Sequence, residues 1–384
     1  MSPTKTLRKV LIVTGEVSGD LHGGYLLRAL KRAQPNLEAL AVGSDHLRGA
    51  GATMLADLTR CATIGFVETL KHIPALWLLK NKLSNLLSDG TIDALICIDY
   101  QGFNMILADL AKKKGIRVIY YIPPQEWVWG SDKGMRKVAS VTDQIITIFR
   151  QEYEHYQGFT QNVAFFGHPL VDMIKQSLRQ QRTHRAIVPK RISVFPGSRE
   201  QEIRHVFPVM VETMKRLSRL DSTITFEINL PNTHFLDRIN RMLSKCPVKV
   251  PIQIGKTHEV LGRSEFAMLT SGTICLEAAI LGVPHVALYK FSRLSYPIIK
   301  RVMNKKFKYP WFSLTNIVAG KAVVREFLQD FTGTELSVYI YALISDPNVL
   351  TGIRQDLAAV KMQLQVDGRH DIIDQIAKAI LAQK

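Results

Sequence analysis

Strand-like apolar runs alternate with helical patterns along most of the chain, and this alternation limits the fold more than any other feature. In the first half, runs such as Val10–Val13 and Ala94–Ile98 are each followed by a segment with apolar residues at helical spacing. A basic stretch, Ser177–Lys190, interrupts the pattern. The alternation resumes at Ile192, and only helical patterns remain after about Pro347. Such alternation is typical of parallel sheets covered by helices.

The length of 384 residues is sufficient for two ordinary hydrophobic cores. We predict an α/β protein with two Rossmann-like parallel-sheet domains that face a cleft. The first domain covers residues 1–176, together with C-terminal helices from about 350 to 384 that cross back to it, and the second covers 177–349. Ligands of open parallel sheets bind beyond the carboxyl ends of the strands, so candidate site residues are sought there.

A small, hydroxyl-bearing turn in the second half joins a strand-like run to a predicted helix. Ser271, Gly272 and Thr273 follow the apolar run 265–270, and Gly282 ends the helix. Backbone N–H groups at such a turn, with the positive end of the helix dipole, suit a phosphate. Glu277 is placed to accept hydrogen bonds from ribose hydroxyls. The alternative is that Glu277 caps the helix, although a capping box requires a spacing of three residues and the spacing here is four.

A second turn of this kind follows the strand-like run 191–195. Gly197 permits close approach of the backbone, Ser198 can donate its hydroxyl, and Arg199 can hold a diphosphate with two parallel hydrogen bonds. The alternative is an ordinary surface turn with an incidental arginine. Two such turns in one alternating region favour a nucleotide diphosphate as the ligand.

The strand ends of the first half carry acidic residues. Asp99 directly follows the run 95–98, where its carboxylate can act as a general base on an attacking hydroxyl. The alternative is a cap on the following helix, a role for which Asn104 competes. Other strand ends carry Gly15–Asp20 and Pro123–Trp127. The chain has neither a G-x-G-x-x-G after its first strand nor a D-x-D, so we expect neither a dinucleotide nor a metal held by paired aspartates.

Charge and composition limit the partners and the compartment. Fifty basic and 33 acidic residues give a formal net charge of +17, which an anionic membrane surface, a phosphorylated substrate or nucleic acid would explain. Cys61, Cys97, Cys246 and Cys275 are scattered, which favours packed thiols in a reducing compartment. No secretion signal or run of eighteen apolar residues is present in the sequence, so we expect a cytoplasmic protein.

Two segments have the composition of membrane-contacting surfaces. Leu70–Leu87 contains Trp77 and Leu78 among apolar residues and lysines. The pattern predicts a helix that lies in a membrane interface or one that packs on the sheet. The second segment is basic and aromatic and includes Lys305 and Lys306. No DNA- or RNA-binding signature accompanies it, so we do not expect nucleic acid as a partner.

Taken together, the motifs resemble those of the lipid-A-disaccharide synthases, inverting glycosyltransferases with the two-domain GT-B fold. The resemblance runs from about Val10 to at least Leu336, and the order and spacing of the motifs make it specific. The matching pieces are Gly15-Glu16-x-Ser18-Gly19-Asp20, Gly65-Phe66-Val67-Glu68, Ile98-Asp99 with Phe103-Asn104, Gly167-His168-Pro169, Pro196-Gly197-Ser198-Arg199, Ser271-Gly272-Thr273 with Glu277, and Ser313-Leu314-Thr315-Asn316 with Ala319-Gly320.

This resemblance implies transfer of 2,3-diacylglucosamine from its UDP form to the 6-hydroxyl of 2,3-diacylglucosamine 1-phosphate, without cofactor or metal. The products would be UDP and the β(1→6) disaccharide 1-phosphate of lipid A biosynthesis. Asp99 would be the base. The residues implied to border the sugar cleft are Ser18, Gly19, Asp20 and Glu126. Those implied to bind UDP are Ser198, Arg199, Ser271, Gly272, Thr273, Glu277 and Asn316, the last near the leaving diphosphate.

The implied substrates are acylated and must be drawn from a bilayer. Trp77 and Leu78 would enter its acyl region, and Lys305 and Lys306 would contact anionic head groups. The enzyme would then be peripheral on the cytoplasmic face of the inner membrane. Homodimerisation through the late helices stays open.

Two segments depart from the family pattern. Ala-Pro-Asp-Phe-Asn after the base becomes Tyr100-Gln101-Gly102-Phe103-Asn104, which lacks the second acid. Ser-Pro-Ser-x-Trp-Ala-Trp becomes Pro123-Pro124-Gln125-Glu126-Trp127-Val128-Trp129, which adds a charge at Glu126. We therefore keep Glu126 as an alternative base. Two other functions also stay open: another UDP-sugar enzyme of this fold, such as a UDP-GlcNAc transferase or epimerase, and an inactive basic relative that binds membranes or nucleic acid.

Overall fold

The computed structural model describes residues 7–58, 66–181, 186–244, 246–291, 296, 301, 308–366 and 371–382. The chain divides into two compact units. Unit 1 comprises Met1–Asp172 with Leu364–Lys384, and unit 2 comprises Met173–Gln363. The first boundary thus lies close to the predicted residue 176. The return to unit 1 begins at Leu364, later than the predicted position near 350, because the helix Pro347–Gln363 belongs to unit 2.

Unit 1 is built on a seven-stranded parallel sheet. In chain order its elements are β1 (Lys9–Val13), α1 (Val17–Ala33), β2 (Glu38–Val42), α2 (Asp45–Gly49), β3 (Thr53–Ala56), α3 (Phe66–Ser88), β4 (Ala94–Ile98), α4 (Gln101–Lys113), β5 (Arg117–Tyr121), α5 (Glu126–Trp129), α6 (Asp132–Val141), β6 (Gln144–Thr147), α7 (Arg150–Gln157) and β7 (Val163–Phe165). Helix α8 (Leu170–Gln181) contains the boundary to unit 2. The strand order is β3-β2-β1-β4-β5-β6-β7, with β1 and β4 adjacent at the centre.

The sequence of β4 explains its central place in this sheet. All five residues, Ala94–Ile98, are buried, as expected for a parallel strand whose two faces are both covered by helices. On one face, Leu79, Leu83 and Leu87 of α3 recur every four residues and join Leu95 in the core. The adjacency of β1 and β4 brings their carboxyl ends to the same edge of the sheet.

Unit 2 is built on a six-stranded parallel sheet. Its elements are β8 (Val188–Phe195), α9 (Glu200–His205), α10 (Phe207–Leu220), β9 (Thr225–Leu230), α11 (Leu236–Leu243), β10 (Ile252–Ile254), α12 (Thr257–Gly262), β11 (Ser264–Thr270), α13 (Thr273–Ile280), β12 (His285–Tyr289), α14 (Leu314–Ala319), β13 (Arg325–Leu328), α15 (Gly333–Ile344) and α16 (Pro347–Gln363). The strand order is β10-β9-β8-β11-β12-β13. The chain then re-enters unit 1 with α17 (Ile372–Leu381), which packs on α1.

Alternating side chains of the central strands build two cores in unit 2, one on each face of its sheet. Ile192 and Val194 of β8 face α10 and α15, whereas Phe195 and the β11 residues Ala267 and Leu269 face α12 and α13. The prediction of an α/β protein with two Rossmann-like parallel-sheet domains is confirmed. Among the described residues, no helix combines the length and hydropathy needed to cross a bilayer.

Candidate active site

Asp99 lies in a strained turn at the carboxyl end of β4. Asp99 and Tyr100 both adopt left-handed backbone conformations, with φ of 49° and 50°, and so does Ile122 after the neighbouring strand β5, with φ of 59°. Such conformations cost about 1–3 kcal/mol each for non-glycine residues and persist only where surrounding contacts hold them. The N–H of Asp99 donates to the carbonyl of Ile122 at 3.0 Å. The carbonyl of Asp99 accepts from Asn104 Nδ2 at 2.8 Å and from the Tyr120 hydroxyl at 2.9 Å.

The Asp99 side chain has the properties of a general base. The group is partly buried, and its Oδ1 accepts from the N–H of Tyr100 at 2.9 Å. Burial, together with the charge of Glu16, raises the pKa of Asp99 to about 7. A base with a pKa near the working pH is the most effective in proton transfer. No side chain caps α4, so the alternative reading of Asp99 as its cap is not supported.

Glu16 belongs to the motif Gly15–Asp20, but the sequence indicated no role for its side chain. It is the residue before α1, at the end of β1, and its carboxylate acts electrostatically on Asp99. The signal that would have identified Glu16 is the pairing of β1 with β4, which no local pattern reports. Beside it, Gly15 is required by packing, because a Cβ there would approach the Tyr100 ring to 2.5 Å.

Three residues predicted to border the sugar cleft lie in the first turn of α1. Ser18 is partly buried. Gly19 is buried, and a Cβ there would collide with Thr14. Asp20 is 2% exposed, and its carboxylate accepts from the backbone N–H groups of Ser44 at 2.6 Å and of His46 at 2.9 Å. Asp20 therefore anchors the start of α2, and only Ser18 of the three keeps a side chain with access to solvent.

Glu126, the first residue of α5, is partly buried and already has two donors. Gln101 Nε2 donates to its Oε1 at 2.5 Å, and the N–H of Ser131 donates to its Oε2 at 3.1 Å. A carboxylate held in this way is less available as a substitute base than the Asp99 carboxylate, which accepts from only one donor of the described residues, the N–H of Tyr100.

In unit 2, the turn 271–273 connects β11 to α13 as predicted. Gly272 is exposed at the N-cap position and no side chain caps α13, while Ser271 and Thr273 are partly buried. The N–H of Ser271 donates to the carbonyl of Leu288 on the adjacent strand at 2.9 Å. The first turn of α13 is therefore suited to an anion.

Glu277 does not cap its own helix. Its Oε2 lies 2.9 Å from Nε2 of His258 on α12, and both side chains are largely buried. The alternative of a capping role is thus excluded for this residue. His258 carried no sequence signal, because its partner is nineteen residues away on another helix.

The second turn, 196–199, is occupied by a side chain of its own unit. Gly197 has φ of +108°, and a Cβ there would collide with Glu202. The carboxylate of Glu202 accepts from the N–H groups of Ser198 at 2.8 Å and of Arg199 at 3.1 Å, and it lies 3.6 Å from the Arg199 guanidinium. The side chains of Ser198 and Arg199 remain exposed. A diphosphate can therefore meet the hydroxyl and the guanidinium at this turn, but not these two backbone groups.

Asn316 is fully buried, and the bonds of its amide are all made within unit 2. Its Nδ2 donates to the carbonyl of Val324 at 2.9 Å and to Glu326 at 2.8 Å. Its Oδ1 accepts from the N–H groups of Val323 at 2.8 Å and of Val324 at 2.9 Å. Both N–H groups of the Asn316 amide are thus used, so no N–H of this side chain is available to a diphosphate. The side chain instead anchors α14 to β13.

The residues predicted to contact a membrane are only partly within the described chain. Trp77 and Leu78 on α3 are 59% and 64% exposed, whereas Leu79 beside them is buried. Lys305 and Lys306 lie outside the described residues. Within the described residues, no group of three or more His, Cys, Asp or Glu side chains is arranged to hold a metal ion.

Comparison with known sequences gives a consistent result over the whole chain. The family model of lipid-A-disaccharide synthetase matches residues 10–357. The lipid-A-disaccharide synthase of Geobacter metallireducens is 33% identical over 382 residues, covering 98% of each chain. Lipid-A-disaccharide synthase 1 of Legionella pneumophila strain Paris is 35% identical over 363 residues, covering 93% of each chain.

Solved structures share the fold at much lower sequence identity. A putative UDP-N-acetylglucosamine 2-epimerase from Listeria monocytogenes superposes with a TM-score of 0.64 at 13% identity, covering 98% of this chain and 96% of that one. The UDP-GlcNAc 2-epimerase of Neisseria meningitidis, solved with UDP-GlcNAc, gives 0.60 at 13% identity, covering 97% and 99%. At these identities the likeness establishes the fold alone.

Proposed function

Because this chain belongs to the lipid-A-disaccharide synthase family of glycosyltransferases, we propose that it transfers 2,3-diacylglucosamine from UDP-2,3-diacylglucosamine to 2,3-diacylglucosamine 1-phosphate. The products are UDP and the β(1→6)-linked disaccharide 1-phosphate. The observation that carries the proposal is the Asp99 carboxylate, which is partly buried beside Glu16 in a strained turn and has a pKa of about 7.

In the proposed reaction, the acceptor 6-hydroxyl loses its proton to the Asp99 carboxylate as its oxygen attacks C1 of the donor sugar. The bond from C1 to the diphosphate oxygen breaks on the opposite side, and UDP leaves with the electron pair. A single displacement inverts the configuration at C1, so the reaction requires only one base and a stabilised leaving group. The exposed Arg199 and Ser198 side chains and the uncapped start of α13 supply that stabilisation.

Nucleotide recognition belongs to unit 2 in this proposal. Glu277, oriented by His258, accepts hydrogen bonds from the ribose hydroxyls, and Ser271 to Thr273 lie against a phosphate. The solved epimerase with UDP-GlcNAc supports a UDP-sugar as the donor, since it shares the fold. Asn316 serves this site indirectly, by fixing α14 against β13.

We further propose that the protein is peripheral on the cytoplasmic face of the inner membrane. The exposed Trp77 and Leu78 would enter the bilayer surface, where the acyl chains of the substrates lie. The charge of the chain supports contact with anionic lipid. Unit 2 contains 28 of the 50 basic residues but only 14 of the 33 acidic ones, so it carries most of the net charge.

The experiment that tests the proposal is mass spectrometry of the lipid products after incubation with donor and acceptor in the presence of EDTA. A disaccharide 1-phosphate formed in step with UDP release is the expected result. A parallel incubation with UDP-GlcNAc alone tests the epimerase alternative. If the epimer appears there and no disaccharide forms from the acylated substrates, the proposed transfer is refuted.

A further inference from the structure

Two residues from different strand ends of unit 1 contact each other beside Asp99. Gln101 is the first residue of α4, two residues after Asp99, and Glu126 is the first residue of α5, after β5. Gln101 Nε2 donates to Glu126 Oε1 at 2.5 Å. Gln101 lies in one of the two segments that depart from the family pattern, and Glu126 lies in the other. The two altered segments therefore contact each other.

The protein backbone is shaped around the Glu126 carboxylate. Cβ atoms placed on Gly130 and on Gly134 would both collide with it. The N–H of Ser131, the residue before α6, donates to its Oε2 at 3.1 Å. The two glycines thus leave room for the carboxylate, and its orientation is set by the hydrogen bonds from Gln101 and from the N–H of Ser131.

The contact with Gln101 brings the Glu126 carboxylate to the start of α4. The first turn of α4 contains no acidic residue, and its N-cap, Tyr100, makes no side-chain cap. A negative charge near the start of a helix is stabilising. For Gly102, in this same turn, no described residue outside its own stretch of helix lies within 4 Å of where a Cβ would be. The described residues therefore leave room for an aspartate at position 102, in the same turn that Glu126 of α5 contacts through Gln101.

We propose that Gln101 and Glu126 form a brace that positions Asp99. The brace ties the first residue of α4 to α5 and so holds the left-handed turn at Asp99 and Tyr100 in its reactive geometry. Gln101 and Glu126 are positioning residues, since their effect on the reaction passes through Asp99. This inference rests on the proposed function, in which Asp99 is the base.

The kinetic test compares wild type with Gln101→Ala and Glu126→Gln in the acylated-sugar transfer assay. We expect each to lower kcat about tenfold, equivalent to about 1.4 kcal/mol, with little change in the KM for the UDP-sugar. Glu126→Gln removes the charge but keeps an oxygen that can accept from Gln101, whereas Glu126→Ala removes the contact itself. The double variant Gln101→Ala/Glu126→Ala should therefore be no worse than Glu126→Ala alone, because both substitutions remove the same contact. Gln101→Lys, which can still reach the Glu126 carboxylate as an ion pair, should retain most of the activity.

A matched control is Asp109→Ala, which removes a surface pair with Lys113 on the same helix, away from Asp99. It should have wild-type kcat. The brace is refuted if Gln101→Ala also retains wild-type kcat. A loss of more than a thousandfold in Glu126→Gln with an active Gln101→Ala would also refute it, and would make Glu126 the base.

Hydrogen exchange separates the brace from the proposed function, because it needs no substrate. The amide of Asn104, bonded to the carbonyl of Tyr100 at 3.2 Å, reports on the first turn of α4. We expect faster exchange of this amide in Gln101→Ala and unchanged exchange in Asp109→Ala. If Gln101→Ala exchanges faster but the wild type has no transferase activity, the brace is supported and the proposed function is refuted. Unchanged exchange in Gln101→Ala would refute the brace itself.

The relation to Gly102 gives a rescue experiment. If Glu126 supplies the charge that is missing from α4, Gly102→Asp should recover part of the kcat lost in Glu126→Gln. The same change in the wild-type background should have little effect. Failure of Gly102→Asp to recover any activity, while Gln101→Lys remains active, would show that Glu126 acts as a hydrogen-bond partner and not through its charge.

Discussion

At the scale of single residues, burial of Asp99 and the charge of Glu16 together raise the pKa of the proposed base. As the proposed base, Asp99 must be deprotonated to accept a proton, and its pKa is about 7, so kcat/KM should rise with pH through that region. Glu16→Gln removes the like charge and should lower the pKa of Asp99. The ascending limb of the pH profile should therefore move to lower pH, while a limb that stays in place would show that Glu16 has no influence on the base.

The raised pKa of Asp99 also has a consequence for stability. The folded-state pKa of about 7 exceeds the value of about 3.9 in an unfolded chain. The stability that Asp99 contributes in its protonated form is therefore complete below about pH 4 and is lost as the pH rises to about 7. Asp99→Asn removes this dependence, so its melting temperature should exceed that of wild type at pH 8. A lower melting temperature at pH 8 would contradict this account of the turn.

At this scale, the sequence predicted the positions of candidate site residues more reliably than the roles of their side chains. Asp99 and Glu277 lie at the predicted strand end and helix turn, because strand–turn–helix patterns are local. Asp20 and Asn316 were expected to face ligands, yet both are buried with their hydrogen bonds made inside their own units. Whether a polar side chain faces a ligand or a neighbouring backbone depends on tertiary contacts, which one sequence does not report.

At the scale of elements, central strands were easier to predict than edge strands. β4 is an unbroken apolar run because both of its faces are covered, and it was predicted with its observed bounds. β3 and β7, at the two edges of the sheet of unit 1, were not predicted. They have four and three residues and are largely half-buried, so they lack the apolar signal of a central strand.

The turn between β8 and α9 yields a prediction at this scale. Gly197→Ala combines a backbone conformation unsuited to alanine with a collision at Glu202, so we expect unit 2 to lose about 1–3 kcal/mol of stability. Gly282→Ala is the matched control, since Gly282 also has a positive φ but no described residue close to where a Cβ would lie. Urea denaturation should show a clearly larger loss for Gly197→Ala. Equal losses would mean that the Glu202 contact adds nothing to this turn.

At the scale of the whole molecule, the residues proposed for apolar contact with a membrane and those proposed for electrostatic contact lie in different units of the chain. The exposed Trp77 and Leu78 belong to unit 1, whereas most of the net positive charge belongs to unit 2. Binding to vesicles that contain anionic phosphatidylglycerol should therefore weaken with added salt. Vesicles without anionic lipid should bind weakly at any salt concentration.

The double variant Trp77→Ala and Leu78→Ala should reduce vesicle binding at both low and high salt, because it removes an apolar contact that salt does not screen. Met362→Ala provides a control, since Met362 is 73% exposed on α16 of unit 2. Flotation of the protein with vesicles measures the bound fraction. If the double variant floats with vesicles as well as wild type does, the proposal that α3 contacts the membrane is refuted.

The central claim is that Asp99 is the base of a glycosyl transfer to an acylated acceptor, and one rate comparison tests it most directly. Wild type, Asp99→Asn and the matched Asp109→Asn on the next helix are assayed for disaccharide 1-phosphate formation at pH 8. We expect Asp109→Asn to match wild type, and Asp99→Asn to fold, bind UDP and be slower by about a hundredfold to ten-thousandfold. Transfer by Asp99→Asn at the wild-type rate would contradict the account.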